Sequence, residues 1–166
     1  MQLRDRVTAV AGEINRTLPP GELDVIGILK GSFVFLSDLV RQIERPCRID
    51  FLRVASYGAA RTSSGEIRLL TDISLNISGR RVLIVEDIVD SGMSLKYIRS
   101  HLMGKSPESL WTVALLFKAT APDSGELRKL IDFVGFELEG NPFVVGYGMD
   151  DNEQYRNLPF ISVADD

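Results

Sequence analysis

Apolar positions recur with a helical period at the start of the chain. Leu3, Val7, Val10 and Ile14 are separated by three or four residues, which places them on one face of a helix. This pattern predicts an amphipathic helix that ends before Pro19 and packs on the main body of the protein.

The next segments alternate between short apolar runs and amphipathic stretches. An apolar run from Asp24 to Leu29 predicts a buried strand, and Phe33 to Ile43 has the spacing of a helix that follows it. Arg81 to Asp87 repeats the buried strand, and a second such helix begins at Leu95. Further strands are predicted at Arg48–Val54, Ile67–Leu70, Trp111–Phe117, Asp132–Leu138, Phe143–Tyr147 and Phe160–Val163. This alternation predicts an α/β fold with a mostly parallel central sheet flanked by helices, and the last short strands predict a small hood.

The composition narrows the classes of partner. The chain has 166 residues, of which 45% are apolar and 25% charged, so we expect a single globular domain. A formal net charge of -4 gives no broad basic surface for nucleic acid or an anionic membrane. We expect a cytoplasmic protein, because Cys47 is the only cysteine, the first residues are charged and no apolar run could span a bilayer.

Carboxylates and small residues follow the strand RVLIVED, between that strand and the next helix. The segment carries Glu86, Asp87, Asp90, Ser91, Gly92, Met93 and Ser94. Ligands of open α/β sheets bind beyond the carboxyl ends of the strands, so this segment is the first candidate site. Its second half places small residues at a helix N-terminus, where backbone N–H groups and the helix dipole favour a phosphate.

The three carboxylates of this segment would repel a polyanion unless they bind hydroxyl groups or a cation. Two adjacent carboxylates can accept hydrogen bonds from sugar hydroxyls and hold Mg²⁺. A phosphorylated sugar with magnesium is therefore the ligand that the residues favour. An alternative is that the acids are N-terminal helix charges and that Ser91 or Ser94 is the cap. The segment matches neither a P-loop nor a dinucleotide-binding motif.

The string VLIVEDIVDSGMSL resembles the phosphoribosyl diphosphate motif of type I phosphoribosyltransferases in its 6-oxopurine version. Other segments are similar, in the same order, to hypoxanthine-guanine phosphoribosyltransferases: GILKGSFVFLSDLVR, FLRVASYG, LLFK, DFVGFEL and FVVGYGMDDNEQYRNLPFI. The resemblance implies a magnesium-dependent enzyme of purine salvage that joins hypoxanthine or guanine to phosphoribosyl diphosphate. It also implies a homodimer or a homotetramer.

The resemblance assigns the sugar-phosphate side of the site. It implies that Glu86 and Asp87 hold the ribose hydroxyls, partly through magnesium, and that residues 90–94 enclose the 5-phosphate. Asp90 corresponds to the acid/base residue that faces the reacting nitrogen of the purine. Arg156 corresponds to an arginine that meets diphosphate.

Two loops complete that side by the same resemblance. Lys30 and Gly31 resemble the diphosphate loop, where the family often has a non-proline cis peptide bond just before the glycine. Ser56 and Tyr57 begin a segment, to about residue 66, that resembles the mobile lid over the reacting centre.

The purine side is also assigned by the resemblance. Lys118 corresponds to the lysine that donates to the exocyclic 6-oxygen, Phe143 to the ring that stacks on the base, and Val144 to the residue whose backbone contacts the purine edge. Asp150 corresponds to a second magnesium ligand beside the base. Without the resemblance, Lys118 would be interpreted as a surface charge, Phe143 and Val144 as core, and Asp150 with Arg156 as a surface ion pair.

The chain departs from the family pattern in two places. KATAPD, residues 118–123, lacks the arginine that usually follows the purine-binding lysine. The segment from Glu137 to Phe143 is one residue longer than usual and lacks the lysine before the stacking ring. Three alternatives therefore stay open: a xanthine-preferring transferase, a non-catalytic regulator that senses phosphoribosyl diphosphate, and a flavodoxin-like module whose acidic cluster holds magnesium.

Overall fold

The apolar runs of the sequence form one central sheet. The structure is a computed structural model that describes residues 3–57, 66–119 and 124–164. Its elements are α1 (Leu3–Thr17), β1 (Leu23–Leu29), α2 (Phe33–Val40), β2 (Cys47–Tyr57), β3 (Glu66–Thr71), β4 (Arg81–Val89), α3 (Met93–Met103), β5 (Ser109–Lys118), α4 (Ser124–Arg128), β6 (Phe133–Leu138), β7 (Val144–Val145) and β8 (Ser162–Val163).

In these ranges the main sheet has the strand order β3-β2-β1-β4-β5-β6. All neighbouring strands are parallel except β2 and β3, which form an antiparallel arm at one edge. β7 and β8 pair separately, with Val144 opposite Val163, and form the small hood. The predicted α/β fold with a mostly parallel sheet is confirmed.

Successive residues of the buried strands supply opposite faces of the sheet. On β4, Leu83 and Val85 pack in the core cluster that includes α1 and α2, whereas Ile84 packs in the cluster that includes α3. Because side chains alternate along a strand, a strand covered on both faces is apolar at nearly every position. This is why β1, β4 and β5 are continuous apolar runs, and why helices lie on both faces.

The first helix is held to the sheet edge by packing and by one arginine. Its buried residues are Val7, Val10, Ala11 and Ile14, the predicted apolar stripe with one addition. Arg6 donates from Nε to the carbonyl of Gly135 and from Nη2 to that of Val134, both at 2.6 Å. The helix therefore covers the β6 edge.

Several predicted boundaries were wrong. α2 ends at Val40 rather than at Ile43, and the strand predicted at residues 143–147 is reduced to Val144–Val145. Positive φ angles at Gly146, Tyr147 and Gly148 turn the chain there. The strand predicted at residues 160–163 is reduced to β8, and the short helix α4 was not predicted.

The predicted lid falls mainly on residues 58–65, which lie outside the described residues. The non-proline cis peptide bond joins Leu29 to Lys30, one bond earlier than predicted. No helix within the described ranges has both the length and the apolar character needed to cross a membrane.

Candidate active site

Two neighbouring carboxylates near the end of β4 carry unneutralised negative charge. Glu86 is 6% exposed, and its burial, with the nearby charge of Asp87, raises its pKa well above the ordinary value. Burial also raises the pKa of Asp87, to about 6, although backbone N–H groups and Arg156 oppose that shift. In the described part of the chain, the ion pairs of this region join Asp90 to Lys118 and Asp150 to Arg156, and none includes Glu86 or Asp87.

The loop between β4 and α3 forms a small cavity at a helix N-terminus. The cavity has a volume of about 120 Å³ and is lined by Glu86, Ile88, Val89, Asp90, Ser91, Gly92, Ser94 and Leu95. Gly92 is the N-cap of α3 at φ 74°, and no side chain caps the helix. A side chain at Gly92 would also meet Leu127, because an added Cβ would lie 2.8 Å from Cδ2 of that leucine. The uncapped N–H groups at this end are suited to an anion.

A second cavity lies on the other side of Asp90. It has a volume of about 230 Å³ and is lined by Asp87, Ile88, Asp90, Lys118, Phe143, Val144, Met149 and Asp150. Phe143 is 51% exposed, so its ring is available to a ligand, whereas Val144 is buried. Asp90 and Ile88 line both cavities, which therefore meet at the predicted acid/base residue.

Lys118 brings a buried positive charge to this second cavity. It ends β5 and is 7% exposed. Its Nζ donates to Oδ2 of Asp90 at 3.1 Å and to Oδ1 of Asn141 at 2.8 Å. A buried ammonium group needs such partners, because an unpaired charge is costly to remove from water. The side chain is therefore fixed at the wall of the cavity.

The loop after β1 lies directly against the acidic end of β4. A Cβ added to Gly31 would lie 2.5 Å from Cγ of Asp87, and the Gly31 backbone is also approached closely by Gly148. The glycine at position 31 is therefore required by space, because two other segments of the site contact its backbone.

Two cations lie on the same side as this loop. Arg156 forms an ion pair with Asp150 at 2.9 Å and donates to the carbonyl of Gly148 at 2.8 Å. Lys30 forms an ion pair with Glu153 at 2.8 Å, and Glu153 also reaches Arg156 at 3.3 Å. Glu153 thus contacts both predicted diphosphate-binding cations at once.

Comparisons with known proteins bear on what these cavities bind. The model of the phosphoribosyl transferase domain matches residues 1–152. The hypoxanthine-guanine phosphoribosyltransferase of Aquifex aeolicus is 40% identical over 168 residues, which cover 99% of this chain and 90% of the relative. That of Dictyostelium discoideum is also 40% identical, over 96% of this chain and 89% of the relative. This chain belongs to the hypoxanthine-guanine phosphoribosyltransferase family.

Solved structures of the family agree with the fold. A hypoxanthine-guanine phosphoribosyltransferase from Bacillus anthracis superposes with a TM-score of 0.86 at 42% identity, covering 98% of this chain and 94% of that one. A hypoxanthine phosphoribosyltransferase from Staphylococcus aureus gives a TM-score of 0.88 at 35% identity, covering 98% and 86%. The predicted type I phosphoribosyltransferase fold is confirmed by this family membership.

Most residues predicted from the family motif lie together. Those that line the two cavities are Glu86, Asp87, Asp90, Ser91, Gly92, Ser94, Lys118, Phe143, Val144 and Asp150. Gly31, Lys30 and Arg156 adjoin them through Asp87, Glu153 and Asp150. Met93 is exposed at the start of α3. Ser56 lies near the end of β2, opposite Ile67, and Tyr57 ends that strand.

The magnesium site of the family fits these residues only in part. Within the described residues, no three histidine, cysteine or acidic side chains are grouped closely enough to hold a metal ion. Mg²⁺ usually keeps several waters and takes one or two carboxylates together with substrate phosphates. The raised pKa values of Glu86 and Asp87 indicate a negative charge that a cation would relieve. The donors therefore suit a magnesium ion that arrives with its substrate.

Two contact residues of the site were missed by the sequence analysis. Asn141 lies in the lengthened segment before Phe143, and its contact is with Lys118. Glu153 lies within FVVGYGMDDNEQYRNLPFI, and its contacts are with Lys30 and Arg156. The extra residue before Phe143 was the only sequence signal for the first. Nothing in the sequence distinguished Glu153 from the other acids around it.

Proposed function

We propose that this protein transfers the 5-phosphoribosyl group from phosphoribosyl diphosphate to hypoxanthine or guanine, giving IMP or GMP and diphosphate. The observation that carries the proposal is the pair of cavities that meet at Asp90. One is bounded by a helix N-terminus that suits a phosphate, and the other by a buried lysine and an exposed aromatic ring. An aspartate between them faces the place where the new bond between base and sugar forms.

The smaller cavity is the proposed site of the ribose 5-phosphate. Residues 90–94 would enclose the phosphate with backbone N–H groups at the start of α3, where the dipole of the helix also favours an anion. The carboxylates of Glu86 and Asp87 would accept hydrogen bonds from the ribose hydroxyls. This arrangement places the anomeric carbon near Asp90.

The larger cavity is the proposed purine site. Phe143 would stack on the base, and the backbone of Val144 would contact its edge. Lys118 can only donate hydrogen bonds, so it favours an exocyclic oxygen over an exocyclic amino group. Asp90 would take the proton from the ring nitrogen as the base attacks, and would return it in the reverse reaction.

Diphosphate would leave on the side where Lys30, Gly31 and Arg156 lie. The two cations balance its negative charge, and the Gly31 backbone lies beside Asp87. A magnesium ion held by Glu86, Asp87 or Asp150 together with the substrate would stabilise the charge that develops on the diphosphate. Exclusion of water matters as well, because a sugar cation would be captured by water instead of purine. That task is proposed for the lid at about residues 57–66, beginning at Ser56 and Tyr57.

The test is nucleotide formation by the purified protein with phosphoribosyl diphosphate, magnesium and one base at a time: hypoxanthine, guanine, xanthine or adenine. We expect turnover with hypoxanthine or guanine and little with adenine. The variant Asp90→Asn should lower kcat by roughly 10²- to 10⁴-fold while substrate binding changes little. Turnover with xanthine alone would favour the xanthine-preferring alternative, and unchanged catalysis by Asp90→Asn would refute the role of Asp90.

The non-catalytic alternatives find no support in the relatives described above, whose names are those of transferases. A sensor of phosphoribosyl diphosphate would bind that ligand but form no nucleotide from any of the four bases. Assembly as a homodimer or homotetramer, a single domain and a cytoplasmic location stay predictions. Light scattering of the purified protein would test the first.

A further inference from the structure

The hydrogen bonds of Lys118 define what the larger cavity offers to a base. An ammonium group has three N–H donors and no acceptor. Asp90 accepts one of them at 3.1 Å and Asn141 accepts another at 2.8 Å. One donor is left for the cavity that Lys118 lines. A 6-oxygen would complete the set, whereas a 6-amino group would bring a donor against a donor.

Asn141 has a defined orientation in this contact. Because Lys118 cannot accept a hydrogen bond, the asparagine must present its carbonyl oxygen to Nζ, and its amide nitrogen points elsewhere. The amide is also neutral. It therefore directs the ammonium group without adding a second carboxylate, and the positive charge of Lys118 is balanced by Asp90 alone.

The local sequence holds Asn141 in place. Gly140 has a φ of 71°, which turns the chain just before it. Pro142 follows, and a residue before proline is restricted to extended conformations. The segment that is one residue longer than in the family thus places an acceptor beside the purine-binding lysine.

We propose that Asn141 is a positioning residue that fixes Lys118 for recognition of the 6-oxygen of the purine. The proposal rests on the proposed function of the cavity. Removal of the acceptor would let the ammonium group of Lys118 turn toward Asp90 or water, so the oxopurine would bind less tightly. Binding of phosphoribosyl diphosphate should not change, because Asn141 does not line the smaller cavity.

The experiment compares four variants of the full chain. Asn141→Leu keeps the size of the side chain but removes the acceptor, and it also keeps water from replacing it as readily as an alanine would. Asn141→Asp retains an acceptor oxygen. Glu139→Leu is the matched control, since it places the same side chain at an exposed position of the same segment. Lys118→Met is the reference for loss of the lysine itself.

For each variant, KM is measured for hypoxanthine and guanine at saturating phosphoribosyl diphosphate and magnesium, and for phosphoribosyl diphosphate at saturating base. We expect Asn141→Leu to raise the oxopurine KM on the order of tenfold, which is typical of a lost hydrogen bond to a charged group. Its KM for phosphoribosyl diphosphate should stay within about twofold of the parent, within the variation of a near-neutral surface change. Asn141→Asp should restore most of the loss, and Glu139→Leu should behave as the parent.

The outcomes separate the two levels of the argument. If Lys118→Met raises the oxopurine KM but Asn141→Leu does not, the role of Asn141 is overturned and the proposed function stands. An equal rise in both KM values, or the same loss in Glu139→Leu, would make Asn141 merely structural and would also overturn it. If the parent protein forms no nucleotide from any base, the proposed function fails first.

Discussion

Substitution of Gly31 by alanine should disable the site without unfolding the protein. The new Cβ would lie 2.5 Å from Cγ and 3.0 Å from Oδ1 of Asp87. Ordinary contacts between non-bonded carbon atoms are about 3.5–4.0 Å, so the two groups must separate by roughly 1 Å. Asp87 receives hydrogen bonds from its own N–H and from that of Ile88, and Gly148 packs on the Gly31 backbone. Neither side can move freely.

The expected effect is larger on catalysis than on stability. Misplacement of a site group by about 1 Å can lower activity by about 10²-fold, and we expect a loss of that order in kcat/KM for phosphoribosyl diphosphate. Overpacking usually costs about 1–3 kcal/mol, so the variant should fold with a lower midpoint of denaturation. Steady-state kinetics and urea denaturation measure the two effects on the same preparation.

Gly125→Ala is the control. It adds the same methyl group at an ordinary φ in α4, where nothing lies within 4 Å of the added Cβ. It should leave kcat/KM unchanged. If Gly31→Ala keeps the parent value of kcat/KM, the close contact between Gly31 and Asp87 does not position the site, and the argument from space is refuted.

Three further predictions concern charged groups. Asp24 is fully buried with two arginine partners, so Asp24→Asn should lower the free energy of unfolding by about 2–3 kcal/mol in urea denaturation; an unchanged midpoint would contradict this. Glu153→Gln should tighten diphosphate binding by about two- to fivefold in calorimetry, because it frees Lys30 from a surface ion pair; weaker binding would show that Glu153 assists the ligand. For Asp72, burial raises the pKa, but hydrogen bonds led by Lys105 outweigh it and lower the pKa to about 2. Its contribution to stability is thus present above the ordinary pKa of 3.8 and is lost as the pH falls toward 2; the loss caused by Asp72→Asn at pH 7, below about 1 kcal/mol for so exposed a pair, should disappear in acid.

The central fold could be predicted because its strands are buried on both faces. β1, β4 and β5 are continuous apolar runs, which follows from their position in the middle of the sheet. The segment after residue 143 could not be predicted in the same way. Its turns depend on positive φ angles at glycines and at Tyr147, and apolar residues in such a loop have no period to identify it.

The site was predicted to a different depth on its two sides. Residues 86–94 form one continuous segment, so strand position and helix N-terminus could be inferred from the sequence. Lys118, Phe143 and Arg156 were assigned only through the family resemblance, because they come from separate parts of the chain. The contacts of Asn141 and Glu153 depend on how those parts meet in space.

The charges of the site are arranged differently on its two sides, and this difference explains how substrate and metal could enter together. On the diphosphate side, Lys30 and Arg156 already have carboxylate partners, so a polyanion must displace part of an internal balance. On the ribose side, Glu86 and Asp87 are buried without cationic ion-pair partners among the described residues, so their negative charge opposes an anion that arrives alone. A magnesium ion carried by the diphosphate would oppose neither side, because it neutralises part of the ligand and relieves the two carboxylates at once. The arrangement therefore favours the metal complex of phosphoribosyl diphosphate over the free anion, by the charges of this chain's own residues.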